Sequence, residues 1–181
     1  MRLRSADLDD LPAIQAIYAH HVLNGLGTFE EVPPSVDEMR QRYEAVRVRG
    51  LPWVAAEADG ELAGYAYAAP FRPRAAYRYA VEDSVYVTPG AARQGVGRGL
   101  LELVIGECER LGLRQMVAVI GDSGNAASIG LHRACGFELL ASPPGLGFKF
   151  GRWVDVVWMQ RALGDGDRRP PDSPGLRLQG A

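Results

Sequence analysis

Lysine is almost missing from this chain: Lys149 is the only one in 181 residues. Histidine and cysteine are also scarce, with His20, His21 and His132, and Cys108 and Cys135. Two cysteines give neither a disulfide framework nor a metal-ligand spacing, and three histidines argue against a His-rich metal site. No metal is therefore expected, and a reduced, cytoplasmic setting is. No charge of one sign dominates, since the net charge is -2; there is no general basic surface for nucleic acid. No run approaches the ~20 apolar residues that cross a bilayer, and the opening MRLRSADLDD lacks an apolar signal core. Neither nucleic acid nor membrane is expected as a partner.

What is present is a globular composition, 47% apolar and 23% charged, long enough for one domain with a sizeable core. That domain is expected over residues 1–163. From Gly164 onward, GDGDRRPPDSPGLRLQGA is glycine, proline and charge, and reads as a disordered tail over 164–181. Residues 2–5 read as a strand. Leu11, Ile14, Ile17 or Tyr18, and His21 or Val22 recur at helical spacing, with Asp9 or Asp10 as cap and Pro12 in the first turn. Ser35 and Glu38 form a capping-box pattern for a helix to about Arg49. Two apolar runs flank Asp59-Gly60, a hairpin turn pair. EDSVYV and RQMVAVI read as strands, NAASIGLHRACG as a short helix, and FELLAS and WVDVVWMQRAL as strands. Interleaved helices and strands argue a mixed sheet with helices on both faces, α/β or α+β.

The stretch RQGVGRGLLELVIGECERLG, Arg93–Gly112, places glycines where a helix opens. The first N–H groups of a helix have no internal partners, and the helix dipole adds positive potential. Gly95, Gly97 and Gly99 let an anion approach the backbone, and Arg93 and Arg98 add charge. The same glycines would also serve tight packing alone. The P-loop motif is excluded, because no lysine and no Ser/Thr follows the turn. The dinucleotide fingerprint fails as well, because Leu100 stands where its last glycine belongs.

The longer string SVYVTPGAARQGVGRGLLELVI resembles the acetyl-CoA motif of the GCN5-related N-acetyltransferases, R/Q-x-x-G-x-G/A, which fits from Gln94 to Gly99. NAASIGLHRACGF resembles that family's second segment. VEDSVYV, VAVIGDSGNAASIGLHRACGF and GLGFKFGRWVDVVWMQRAL resemble one branch, the phosphinothricin and methionine sulfoximine acetyltransferases, over about residues 2–163. The resemblance implies a splayed sheet of about seven strands with acetyl-CoA between the strands at 81–88 and 115–120. It implies a pyrophosphate on Arg93, Gln94, Gly95, Val96, Gly97, Arg98 and Gly99. Backbone bonds from Val85, Tyr86 and Val87 would hold the pantetheine arm, and Asn125 and Ser128 its other side. A row of amides on an unpaired strand edge is the physical complement of a row of amides in the ligand.

Acetyl transfer to an amine needs a proton acceptor for the ammonium and a proton donor for the leaving thiolate. Glu82 lies three residues before the 85–87 edge, and the resemblance of VEDSVYV to the branch makes it the expected base, with His132 in the second segment a second proton carrier. Their roles could be exchanged, since a near-neutral imidazole serves either. Cys135 as an acyl-carrying nucleophile is disfavoured, because no base is placed beside it. The resemblance implies that Arg72, Pro73, Arg74 and Tyr79 line the acceptor site, where arginine would take a carboxylate. Phe29 and Glu30 would join them by resemblance, and Lys149 would meet a second acidic group. The resemblance also implies a homodimer in which the 147–153 loop takes part. The acceptor would be a small amino acid acetylated directly in a ternary complex. The alternatives are a regulator that binds acetyl-CoA without turnover, and an acetyltransferase for a protein N-terminus or polyamine.

Overall fold

The computed structural model describes residues 1–178, and the last part of the expected tail, 179–181, lies outside the described residues. Strand β1 (Arg2–Ser5) leads to helices α1 (Leu11–Asn24) and α2 (Val36–Arg47). Strands β2 (Trp53–Ala58), β3 (Glu61–Pro70) and β4 (Ala80–Val87) follow, then helix α3 (Val96–Arg110) and strand β5 (Gln115–Gly121). Helix α4 (Ala126–Ala134) precedes β6 (Glu138–Ala141), β7 (Gly147–Lys149), β8 (Arg152–Val154) and β9 (Val156–Ala162). Seven strands form one mixed sheet in the order β1-β2-β3-β4-β5-β9-β6, and β7 and β8 form a separate hairpin.

Local signals account for most boundaries. Ser35 and Glu38 close a reciprocal cap on α2, with Ser35 Oγ accepting from the Glu38 amide and Glu38 Oε2 from the Ser35 amide. Asp59 and Gly60 both have positive φ, as a tight two-residue hairpin needs. At α1, by contrast, Asp10 makes no cap. Its carboxylate accepts two bonds from the Arg4 guanidinium, at 2.6 and 2.7 Å, and Asp7 caps the short turn before the helix instead. The apolar run expected as one last strand is broken at Asp155. Its carbonyl accepts from the Asp122 amide and its carboxylate from the Ser123 amide.

Strand alternation separates the two faces of the sheet. On one face Trp53, Tyr65 and Tyr67 stack beneath Tyr43 of α2, while Tyr86 meets Tyr18 of α1. On the other, Leu100, Leu101 and Val104 of α3 are fully buried; each contributes about 1.5–3 kcal/mol.

The segment expected to be a disordered tail is placed against the domain as far as residue 178. Leu176 is buried in the core and its amide donates to the Arg78 carbonyl. The Tyr79 hydroxyl donates to the Ser173 carbonyl at 2.6 Å. The physical reason is local: Leu176 supplies apolar burial that the surrounding composition conceals, and backbone groups near it pair with residues 78 and 79.

Candidate active site

Strands β4 and β5 run parallel, but they pair only at 80–82 with 115–117. Beyond Glu82 they part, while β4 continues to Val87 and β5 to Gly121. On its other side β4 stays paired with β3 from Val81 to Val87. The fork opens a cleft of about 900 Å³ that passes from one face of the sheet to the other.

Phe29, Glu82, Val85, Tyr86, Val87, Arg93, Gly95, Gly97, Arg98, Asn125, Ser128 and His132 line this cleft, all of them among the residues the sequence singled out. Gly95 opens α3 with φ +82 and no side-chain cap. The amides of Val96, Gly97 and Arg98 are therefore free helix-start donors at the cleft. Val96 itself points its side chain into the core. Gln94 donates its side-chain amide to the Gly90 carbonyl, stiffening the turn. A Cβ on Gly99 would lie 3.0 Å from Leu3, so this glycine serves packing against β1 and not the cleft. Across the fork, Asn125 Oδ1 accepts from the Ser128 amide and caps α4.

The proton-handling groups lie at the apex. Glu82 is the last residue of β4 paired with β5, and faces the α1 side with Tyr67. Burial raises its pKa, nearby Arg72 opposes this, and the Asp83 charge adds to it. His132 is buried on the opposite face. Its Nδ1 is 2.7 Å from the Ser128 carbonyl and its Nε2 is 3.0 Å from Asp83 Oδ2. Burial alone would lower its pKa, but the hydrogen bond to Asp83, its charge and the Ser128 carbonyl together raise it. Asp83 had drawn no attention in the sequence. Its signal was there, because a residue next to Glu82 on a strand must face the other side of the sheet. Cys135 does not line the cleft, and burial pushes its thiol upward.

Comparison with known proteins decides the family. The family described as Acetyltransferase (GNAT) domain matches residues 3–158. The chain belongs to the GNAT family. It is 57% identical over 164 residues to a phosphinothricin N-acetyltransferase of Alcaligenes faecalis, covering 91% of this chain and 83% of that one. It is 42% identical to an L-methionine sulfoximine/L-methionine sulfone acetyltransferase of Salmonella typhimurium, covering 90% and 95%. A phosphinothricin acetyltransferase of Sinorhizobium meliloti, solved in complex with acetyl-CoA, superposes with a TM-score of 0.93 at 47% identity, covering 96% and 94%. The GNAT cleft here fits such a ligand. The unpaired β4 edge can meet a chain of amides, and the uncapped start of α3 can meet a pyrophosphate. Among the described residues, no group of three or more His, Cys, Asp or Glu side chains could hold a metal.

The acceptor side of this GNAT cleft departs most from expectation. Lys149 is 1% exposed and donates to the carbonyls of Gly25 and Thr28, at 2.9 and 2.8 Å. It is a staple for the 25–29 loop and is not presented to a substrate. Burial lowers its pKa, against the influence of Glu31 and Glu30. Glu30 is taken by Arg42 and the Tyr18 hydroxyl. Tyr79 is turned to the C-terminal segment, and neither it nor Pro73 nor Arg74 lines the cleft. Arg72 lies outside the lining too, with its guanidinium over Phe71 at 4.3 Å and Trp158 at 5.9 Å. Phe29 does line the cleft, and two glycines make room for its loop. A Cβ on Gly121 would lie 2.0 Å from the Leu26 carbonyl oxygen, and one on Gly147 would lie 2.4 Å from the Phe29 ring. His21, also unforeseen at the site, pairs its Nε2 with the Val87 carbonyl at 2.9 Å.

Proposed function

We propose that the chain transfers acetyl from acetyl-CoA to the α-amine of a small amino acid of the phosphinothricin or methionine sulfoximine kind, directly in a ternary complex. The observation that carries this reading is the fork. An unpaired strand edge, an uncapped helix start and a half-buried carboxylate meet in one cleft, in a chain of the GNAT family. Glu82 takes the ammonium proton; burial raises its pKa, which makes its carboxylate a stronger base than that of an exposed glutamate. The amides at the start of α3 hold the pyrophosphate, and the β4 edge holds the pantetheine arm. Acetyl-CoA supplies the activated acyl group. Phe29 and Tyr67 bound the acceptor, and Arg72, outside the lining but close enough for its charge to lower the pKa of Glu82, draws a carboxylate toward that side. Direct transfer is supported by the two buried cysteines, neither of which is placed to carry the acyl group.

The test is release of free thiol from acetyl-CoA with a panel of amino-acid and polyamine acceptors. Turnover is expected with phosphinothricin or methionine sulfoximine. Binding without turnover on any acceptor would replace this reading with the regulator. Glu82→Gln is expected to lower kcat by roughly 10²–10⁴-fold and to leave acetyl-CoA binding by calorimetry intact. Unchanged kcat would remove Glu82 as the base.

The reading extends to a homodimer. Phe148, Phe150 and Trp153 sit on the β7–β8 hairpin, each more than half exposed. Three large apolar side chains on one hairpin exceed the scattered exposure of ordinary surfaces. Sedimentation is expected to find a dimer that the double change Phe148→Asp, Trp153→Asp converts to monomer; a monomeric unaltered chain would end this part.

A further inference from the structure

The two adjacent acids at the fork face opposite ways, and the acetyl-transfer reading uses only Glu82. Asp83 is the first residue of β4 beyond the β5 pairing. Its side chain is 2% exposed, and its only ion partner among the described residues is His132. Oδ1 finds no protein donor. His132 Nδ1 faces the Ser128 carbonyl, an oxygen that can only accept, so Nδ1 carries a proton. Nε2 faces the Asp83 carboxylate, so one more proton lies between Nε2 and Oδ2. Imidazole is the stronger base of the two by roughly 2–3 pK units. A carboxylate buried with a single partner also needs a cation beside it. Arg93 and Arg98 line the same cleft, but among the described residues neither pairs with Asp83, and Arg98 is held by Glu102. Glu82 lies on the other face, and β5 brings only uncharged residues to the fork, Val117 to Gly121. Helix α3 brings Cys108, whose thiol is pushed up by burial and by the charge on Asp83. Cys135 stands at the end of α4, its thiol raised as well.

We infer that Asp83 is a positioning residue that holds His132 doubly protonated at the fork, so that the proton shared by Nε2 and Oδ2 on the cleft wall is the one drawn on by the departing thiolate and Glu82 is left as the only base. This inference rests on the acetyl-transfer reading. The proton count closes. The acceptor nitrogen bonds to the acetyl carbon and the carbon–sulfur bond breaks. The nitrogen sheds two protons, the first to Glu82, and His132 gives one to the sulfur. One of the two shed protons restores His132, and the other leaves to solvent.

The test begins with the ligand-free chain labelled with ¹⁵N. At about pH 7.5, one unit above the ordinary imidazole value, the His132 ring is expected to show two protonated nitrogens. In Asp83→Asn it is expected to show a neutral ring protonated at Nδ1. The alkaline limb of the kcat profile should then fall to lower pH by roughly one unit or more, with the KM for acetyl-CoA little changed. Asp83→Glu should restore part of that shift. A neutral His132 in the unaltered chain overturns the inference, and so does an alkaline limb that Asp83→Asn leaves in place. Should Asp83→Asn not fold, the unaltered chain's spectra and the Asp83→Glu profile decide. If no acceptor is acetylated, the acetyl-transfer reading fails by itself, and the spectra still decide the proton state of His132.

Discussion

Glu82 stands between two influences of opposite sign. Burial raises its pKa most, Arg72 pulls it down and Asp83 pushes it up. As a base it must be ionised, so activity falls as pH drops through its raised pKa. Removing Arg72 removes the charge that restrains that rise. Arg72→Ala is therefore expected to move the acid limb of kcat/KM to higher pH, modestly because Arg72 is exposed. A limb that stays in place would separate Arg72 from Glu82. Glu82 was legible in the sequence because VEDSVYV resembles one branch of a known family. The orientation of its neighbour was legible too, through the period of two along a strand, yet Asp83 gains meaning only when α4 brings His132 against it. Lys149 shows the opposite case. A single lysine in a loop reads as an exposed cation, and its burial depends on carbonyls more than 120 positions earlier in the chain.

The element proposed as the acceptor wall is the 25–29 loop, which lines the cleft through Gly27, Thr28 and Phe29. It is held by Lys149 beneath and by close approach to Gly121 and Gly147. Lys149→Met keeps the stem of the side chain and takes away both donors. The Gly25 and Thr28 carbonyls then lose their partners, at a cost of about 1–3 kcal/mol. Urea unfolding is expected to record that loss, with a several-fold rise in acceptor KM and little change for acetyl-CoA. Equal effects on both substrates would mean the loop does not belong to the acceptor. The Ser35 and Asp59-Gly60 signals were readable because cap and turn chemistry is local. The β7–β8 hairpin was not, because its turn places Phe150 at φ 53, where glycine, asparagine or aspartate would have announced it.

Across the whole molecule, the C-terminal segment returns to the residues just before β4. Leu176 fills the core, and residues 173 and 176 bind the backbone and hydroxyl of Arg78 and Tyr79. Ending the chain at Leu163 exposes the surface under Leu176, about 1.5–3 kcal/mol of burial. A fall of roughly 4–8 °C in Tm is expected. An unchanged Tm would show that the strap contributes nothing to stability. Composition hid this strap, because its one core leucine is surrounded by residues typical of disordered tails.

The fork also follows a division in the chain. Strands β1 to β4 end at Val87, and β5, β9 and β6 all begin at Gln115 or later, with α3 between them. Each half reaches over to the other. The 25–29 loop of the first half is gripped by Lys149 of the second, and the strap of the second half is gripped by Arg78 and Tyr79 of the first. A recombination point placed within α3 therefore exchanges one wall of the cleft for a relative's and parts both sets of gripping partners in a single crossover.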